Sequence, residues 1–294
     1  MGVLKMLFAA LALVLTAPAL TFAQNDAATP QPKIPDLDDI TISPSRYELI
    51  MTAGFQKTVV VKLIYTSVSG KAEPVRVFTY PGDWTIERGG KIGFYKPGTF
   101  ANSACAWLTY SPVEETIRPG DTHSIRVTIS VPADATPGDH LAVLFVEPRG
   151  DNLKLAQSQK QVRMKFRLAA IFYIMVPQLT QKASLENLRA EAGEKAVIVT
   201  PTFKNEGNSR VRPVCSIKVV DQAGVVVVEK SNIESLPVLA NSEIDSPLQI
   251  DKALPEGSYT LRYRVDFGNG NVSEGRTDFI VKPKSEAAKG KGGS

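Results

Sequence analysis

Cysteine and histidine are scarce in this chain, and their scarcity excludes several kinds of site. The 294 residues include only two Cys and two His. Structural zinc sites are built mainly from these residue types, four ligands at a time, and disulfide-stabilised secreted domains need several pairs of cysteines. We therefore expect neither a zinc centre nor a disulfide framework, and we expect no cofactor.

The two cysteines lie in different halves of the chain. A bond between Cys105 and Cys215 is chemically possible outside the cytoplasm, but it would have to cross a domain boundary with the Cα atoms within about 7 Å. Cys215 belongs to an apolar strand face and is interpreted as a core residue, whereas Cys105, two residues before Trp107, leaves both interpretations open. We predict that the two thiols do not pair.

Recognisable catalytic motifs are also missing. The sequence has no G-x-S-x-G, Walker, G-x-G-x-x-G or H-E-x-x-H pattern. His123 and His140 follow turns and are interpreted as solvated side chains. The acidic pairs at 114–115 and 38–39 are sequence neighbours, which do not face each other across a substrate as glycosidase carboxylates do. The chain is therefore predicted not to be an enzyme.

Net charge is small and long apolar runs are few. The formal charge is +4, from 34 basic and 30 acidic residues, which is too weak to indicate a nucleic-acid partner. After the first residues, the longest apolar run is Leu168–Val176, well short of the roughly 18 residues expected of a membrane-spanning helix. We expect no nucleic-acid partner and no integral membrane span once the N-terminal segment is removed.

The N-terminal segment has the pattern of a secretory signal peptide. Lys5 precedes an apolar run from Met6 to Leu15, and small residues follow. Cleavage after Ala23 is predicted, with cleavage after Ala19 as the alternative. The mature protein is therefore expected in the periplasm, or alternatively at the cell surface or secreted.

Frequent turn residues and two-residue alternation predict a protein made of strands. The chain has 21 Gly and 20 Pro, and Pro-Gly-Asp recurs at 81–83, 119–121 and 137–139. Apolar and polar residues alternate along 124–131 and again along 259–267, which is typical of strands with one buried face. The spacing predicts an all-β fold, with two immunoglobulin-like β-sandwich domains in tandem.

The domain limits follow from changes in composition. We predict five segments, with the two domains separable from each other: a signal peptide at 1–23, a flexible lead-in at 24–39, a first immunoglobulin-like domain at 40–178, a second at 179–282, and a disordered basic tail at 283–294.

The segment 161–176 is the unusual one. Apolar residues including Phe166 alternate with cations up to Leu168, so Phe166 is expected to face the core, and from Ala169 onward both faces are apolar. The strand either packs one face on the core and leaves the other in water, or is covered by another polypeptide. An exposed apolar edge would otherwise be an aggregation site.

Several motifs together resemble the periplasmic pilus-assembly chaperones. The segment 42–47, which contains Arg46, is similar to the first strand of that family, and the runs 108–121 and 124–141 are similar to its central motifs. The strand that ends at Pro177 is similar to its subunit-binding strand. The family's lysine on that strand would fall near Ala170, so nearby cations would have to replace it, and the second domain resembles only generic bacterial immunoglobulin-like domains.

The resemblance implies a function. A chaperone of this kind lends a strand to partner subunits that have an incomplete sheet, and Arg46 would anchor the terminal carboxylate of the partner. Arg46 and a cation from 163–167 would then converge between the two domains. The partner-binding residues that the resemblance implies are Arg46, Arg163, Met164, Lys165, Phe166, Arg167 and Leu168.

Two other functions stay open. The run from Trp84 to 138 also resembles surface proteins that bind wall-associated partners, so the chain is alternatively a structural or adhesive cell-envelope protein that binds a surface partner. A carbohydrate-binding module would need a planar row of exposed rings, for which Tyr80, Trp84, Phe94 and Tyr95 are the candidates. Burial in the core is the favoured fate of these rings.

Overall fold

The structure, a computed structural model, describes residues 39–67, 72–149, 166–193 and 195–282. These residues form eighteen strands and one short 3-10 turn, so this part of the chain is all-β, as predicted. The strands in chain order are β1 Asp39–Ser43, β2 Arg46–Ile50, β3 Gln56–Thr66, β4 Val75–Ile86, β5 Ile92–Tyr95, β6 Leu108–Ser111, β7 Glu114–Ile117, β8 Thr122–Ser130, β9 Gly138–Arg149, β10 Leu168–Val176, β11 Ala183–Ala192, β12 Val197–Asn205, β13 Val214–Asp221, β14 Val226–Glu234, β15 Ser242–Asp245, β16 Leu248–Ile250, β17 Gly257–Asp266 and β18 Val272–Val281. The 3-10 turn is Cys105–Trp107.

The first sandwich consists of two sheets that enclose one core. One sheet has the order β1-β3-β8-β6, and the other has the order β2-β10-β9-β4-β5, with β7 paired to β4. The alternation seen in the sequence holds along β8, where Ile125, Val127 and Ile129 are buried and Arg126 is exposed. Successive strand residues point to opposite faces, so this alternation supplies one wall of the core.

The second sandwich has the same design. One sheet pairs β11, β12 and β15, with β16 on β12, and the other has the order β14-β13-β17-β18. Val199, Phe203, Ile217 and Leu261 fill its core with no exposed surface. The predicted class, two immunoglobulin-like β-sandwich domains in tandem, is confirmed, whereas the domain limits and the separability of the domains stay predictions.

Strand β10 is apolar on both faces because both are covered within the chain. Phe172 and Ile174 face the first core, while Tyr173 points to the opposite side of the sheet and joins the buried cluster of the second sandwich. Trp84 and Val143, on β4 and β9, belong to that same cluster. For this part of the segment, the covering polypeptide is therefore the second sandwich itself.

Hydrogen bonds also tie the second sandwich to the first. The Asn208 side chain donates to the carbonyls of Pro137 (3.2 Å) and Gln178 (3.1 Å), and it accepts from the main chain of Thr180 (2.6 Å). At another place the main-chain nitrogen of Asp245 donates to the carbonyl of Arg88 (2.6 Å). The contact between the sandwiches therefore combines apolar packing with main-chain hydrogen bonds.

Candidate partner-binding site

Arg46 lies at the point where the first strand of the sandwich changes sheets. β1 pairs with β3, whereas β2 runs parallel to β10 with Arg46 opposite Ile171. The next residue, Tyr47, stacks on the core residue Phe172 with ring centroids 5.0 Å apart. Because neighbouring strand residues face opposite sides, Arg46 points to the outer face, and its side chain is 58% exposed.

Glu48 gathers three arginines on this outer face. Its Oε1 atom lies 3.2 Å from Nε of Arg46 and 2.5 Å from Nη2 of Arg212, and its Oε2 atom lies 2.5 Å from Nη2 of Arg210. Burial opposes ionisation of Glu48, but Arg210, Arg212 and Arg46 together hold its pKa below the usual value. The sheet edge of the first sandwich is thereby linked to the second sandwich through one ionised carboxylate.

Asp139 fixes the central arginine of this group. The carboxylate accepts hydrogen bonds from Ser209 Oγ (2.9 Å), from the main chain of Arg210 (2.8 Å) and from its Nη1 (3.2 Å). The Arg210 guanidinium also lies 4.2 Å from the centre of the Tyr173 ring. Only 7% of the Arg210 side chain and 2% of the Asp139 side chain are exposed, so both charges are paired inside the protein.

The group as a whole carries an excess of positive charge at its surface. Two carboxylates, Glu48 and Asp139, face three arginines, and the side chains of Arg46 and Arg212 stay 58% and 43% exposed. Guanidinium groups bind carboxylates through charge-assisted and often bidentate hydrogen bonds. The arrangement is therefore able to accept one further anionic group from solvent.

The edge of β10 is open next to Arg46. Residues Leu168–Ala170 pair with Val146, Phe145 and Leu144 of β9, but pairing with β2 begins only at Ile171. In the described ranges, therefore, no strand pairs with the second edge of Leu168 and Ala169, whereas Ala170 is fully buried. Such an edge presents unpaired main-chain groups to which another strand can add.

The residues predicted from the sequence meet this site only in part. Arg46 and Leu168 lie on it, while Arg163, Met164 and Lys165 fall outside the described residues. Phe166 does not face the core as expected: it is 57% exposed, because it precedes Leu168, the first paired residue of β10.

The expected convergence of Arg46 with a strand cation is wrong for Arg167. Its guanidinium lies 4.1 Å from the centre of the Phe145 ring and 5.3 Å from that of Phe94. Four residues separate Arg167 from Ile171, the partner of Arg46, which is about 13 Å along a strand. Ala170, near which the family's lysine would fall, is fully buried.

Sequence reasoning missed the cations that do lie beside Arg46. Arg210 and Arg212 belong to the second domain, more than 160 residues away in the sequence. The only local signal is the alternation in Arg210-Val211-Arg212, where Val211 is buried. Nothing in that pattern connects it with Arg46.

The other candidate side chains have structural partners. The four rings were expected to be buried: Trp84 is, but the expectation is wrong for Phe94 and Tyr95, which are 37% and 39% exposed because the short edge strand β5 that carries them has a partner on one side only. His140 is 7% exposed and packs against Trp107, so its interpretation as a solvated residue is wrong. His140 is buried because it lies on β9, where the Trp107 ring covers it with the two ring centroids 4.4 Å apart.

The acidic pair and the thiols are also accounted for. Glu114 pairs with Arg76 and Glu115 with His123, each at 2.6 Å. Burial, assisted by a hydrogen bond to a carboxylate, raises the pKa of Cys105 to about 12. Cys105 and Cys215 are both buried, and each thiol is free in the structure.

The described residues offer no cluster of three or more His, Cys, Asp or Glu that could hold a metal ion. In the same ranges, no helix has the length and apolar character needed to cross a membrane.

Comparison with known proteins gives matches only among solved structures. No family model matches the chain, and no curated protein matches it. One solved match, from a chaperone–tip adhesin complex described as vital for CFA/I fimbriae biogenesis, is 16% identical, covers 83% of this chain and 99% of its own, and has a TM-score of 0.42. The Pseudomonas aeruginosa CupB2 chaperone is 13% identical, with coverages of 82% and 100% and a TM-score of 0.38. A chain of the Salmonella enterica SafA pilin in complex with the SafB chaperone is 12% identical, with coverages of 83% and 97% and a TM-score of 0.38. By their own descriptions, each of these three solved structures is a chaperone or a complex that contains one.

Proposed function

We propose that this chain is an exported, non-enzymatic chaperone-like protein that works in the periplasm and binds partner subunits by strand complementation, as in the assembly of pili or fimbriae. One observation carries the proposal: the half-buried edge residues Leu168 and Ala169 of β10 have no strand beside them on the side of β2, and they end two residues before Ile171, the partner of the exposed Arg46. The unpaired strand edge and the arginine therefore lie one after the other along the same side of β10.

The partner's strand occupies the edge that β2 leaves free. Main-chain hydrogen bonds along β10 supply affinity, and side chains at alternate positions supply specificity. Because β2 starts at Arg46, an added strand has to end there. A partner strand whose carboxyl end meets Arg46 runs parallel to β10.

Arg46 and Arg212 bind the terminal carboxylate of that strand. Glu48 balances them before the partner arrives, and Asp139 keeps Arg210 from turning toward the partner. Arg163, Met164 and Lys165 precede Phe166 and Arg167 in the chain and lie outside the described residues; their part in binding is proposed from the sequence pattern alone.

The test is capture of partners from the envelope fraction by the parent chain, by Arg46→Ala and by Arg126→Ala. Arg126 is an exposed arginine on β8, in the other sheet, and serves as the matched control. Removing one member of a shielded charge pair costs about 2–5 kcal/mol of binding. That corresponds to a loss of affinity from about 30-fold to several thousand-fold.

The identity of the captured chains separates the alternatives. Small subunits with an incomplete sheet, bound by the parent and by Arg126→Ala but lost by Arg46→Ala, would support the proposal. Equal capture by all three chains would overturn the anchor. Recovery of a large adhesin or of wall polymer instead would support the structural cell-envelope alternative.

A further inference from the structure

A cleft of about 530 Å³ opens on the outer face of the β2-β10-β9-β4-β5 sheet. This volume lies within the range of about 300–1,000 Å³ that is typical of ligand pockets. Four rings and two cations dominate its lining: Tyr80, Phe94, Tyr95, Lys96, Phe145 and Arg167.

The floor of the cleft is built around a glycine. A Cβ atom at Gly82 would lie 2.6 Å from the ring of Phe145, so a side chain there would displace that ring. Phe94 meets Phe145 edge to face, with centroids 5.1 Å apart, and the Arg167 guanidinium lies 4.1 Å from the centre of Phe145. Gly82 thus allows the buried ring to act as a platform for an exposed arginine.

The walls are held in position by neighbouring residues. The hydroxyl of Tyr80 donates to Glu147 (2.8 Å), and the hydroxyl of Tyr95 donates to Glu87 (3.1 Å). The Tyr95 ring also packs edge to face against Phe100, with centroids 5.1 Å apart. Walls that are fixed before binding lose little conformational freedom when a ligand arrives.

The charge of the lining indicates the chemistry of the ligand. Lys96 and Arg167 are the ionisable cations of the lining, and both are exposed. The carboxylates of Glu147 and Glu87, which accept hydrogen bonds from the two tyrosines, do not belong to the lining, so the charges that a ligand meets there are the two cations. A ligand that complements this cleft therefore carries an aromatic ring next to a carboxylate.

We propose that this cleft binds an acidic–aromatic segment of the partner protein, with the ring packed beside Phe94 and Tyr95 and the carboxylate held by Arg167 and Lys96. The inference rests on the proposed function, because Arg167 lines the cleft and is followed in the chain by Leu168, the first residue of the open strand edge. Ala169, the second residue of that edge, pairs with Phe145, which lines the cleft.

The probe is the blocked dipeptide acetyl-Asp-Phe-amide, titrated into the full chain while its backbone amides are followed by NMR. We expect saturable shifts at Gly82 and Gly93, with dissociation constants in the range of about 1–10 mM. Acetyl-Asn-Phe-amide and acetyl-Asp-Ala-amide should bind at least about fivefold more weakly, because each lacks one of the two recognised groups.

Variants locate the effect. Arg167→Gln should weaken the dipeptide at least about threefold, while Arg126→Gln, on the other sheet, should leave it unchanged. Equal binding of all three dipeptides, or no saturation, would overturn the inference. Tighter binding of glucuronic acid than of any dipeptide would also overturn it, since a sugar acid would then be the natural occupant.

Failure of this inference is distinguishable from failure of the proposed function. If Arg46→Ala loses captured subunits and Arg167→Gln retains them with the parent affinity, the cleft plays no part and strand complementation stands. If the dipeptide binds in the cleft while Arg46→Ala captures subunits as the parent does, the proposed role of Arg46 in binding the partner's carboxylate is overturned. The cleft then remains a peptide-binding site.

Discussion

Asp139, in the first sandwich, accepts hydrogen bonds from both the main-chain nitrogen and the guanidinium of Arg210, which belongs to the second. The pair is almost entirely buried, and it joins residues that are 71 positions apart. Arg210 in turn reaches Glu48 beside the proposed partner site. The stability of the contact between the sandwiches and the shape of the site therefore depend on the same arginine.

Replacing Asp139 by Ala should strongly destabilise the chain. The substitution removes the acceptor of three hydrogen bonds and breaks the buried pair with Arg210, which keeps only Glu48 as a partner carboxylate, and breaking such a pair typically costs about 3–5 kcal/mol. Urea unfolding followed by tryptophan fluorescence measures the loss. Glu229→Gln, which breaks the exposed pair with Lys218, is the control and should change the free energy of unfolding by less than about 1 kcal/mol. Equal effects of the two substitutions would contradict the role given to Asp139.

Glu48 should make the folded state sensitive to acid. In the folded chain its pKa lies below the ordinary value of 4.5, because Arg210, Arg212 and Arg46 outweigh the effect of burial, so the unfolded state takes up the proton first as the pH falls. The stabilisation is present above about pH 4.5 and is lost as the pH falls through the lower, folded pKa. In unfolding measured from pH 7 to pH 3, Glu48→Gln should therefore show a shallower decline than the parent. Parallel curves would show that Glu48 has no such linkage.

Gly207→Ala should lower stability through a main-chain clash. A Cβ atom there would lie 2.3 Å from the carbonyl oxygen of Thr180 and 2.9 Å from the nitrogen of Lys182, and neither atom belongs to a flexible side chain. A cost of about 1–3 kcal/mol is expected for such overpacking. Gly89→Ala is the matched control, because nothing lies within 4 Å of its Cβ position. Thermal unfolding of the two variants compares them directly, and similar midpoints would refute the clash.

The thiols should react only after unfolding. Cys105 and Cys215 are both buried, and burial raises the pKa of each, to about 12 for Cys105. At pH 8 the thiolate that attacks a disulfide reagent is therefore scarce in the native protein. Titration with a disulfide reagent, without reductant, should find two free thiols in the denatured protein. In the native protein the same thiols should react slowly. Finding none in denaturant would mean that the cysteines are bonded.

The sequence predicted the parts of the fold that depend on local alternation. Ile125, Val127 and Ile129 lie on the buried face because a strand repeats every two residues, and that period is visible without any tertiary information. Arg46 was found by resemblance to a motif. Arg210 was not found, because its meeting with Glu48 depends on how two sandwiches pack, which no local period encodes.

The errors have physical reasons of the same kind. Phe166 continues the alternation of β10 in the sequence, yet sheet pairing starts at Leu168, so the side chain has no core to face. His140 follows a turn, where solvent exposure is usual, but Trp107 from a distant turn covers it. In both cases the neighbour that decides burial lies far away in the chain.

The side chain of Asn208 connects the two sandwiches by hydrogen bonds to Pro137 in the first and to the segment that joins it to the second. Its partners at Pro137, Gln178 and Thr180 are mainly main-chain atoms, which are the same whatever residue occupies those positions. Substitutions in the connecting segment are thus expected to keep these hydrogen bonds, provided that the amide at position 208 is kept. A residue of the second sandwich thus helps to hold the segment 178–180 in place through contacts that do not depend on the side chains of that segment.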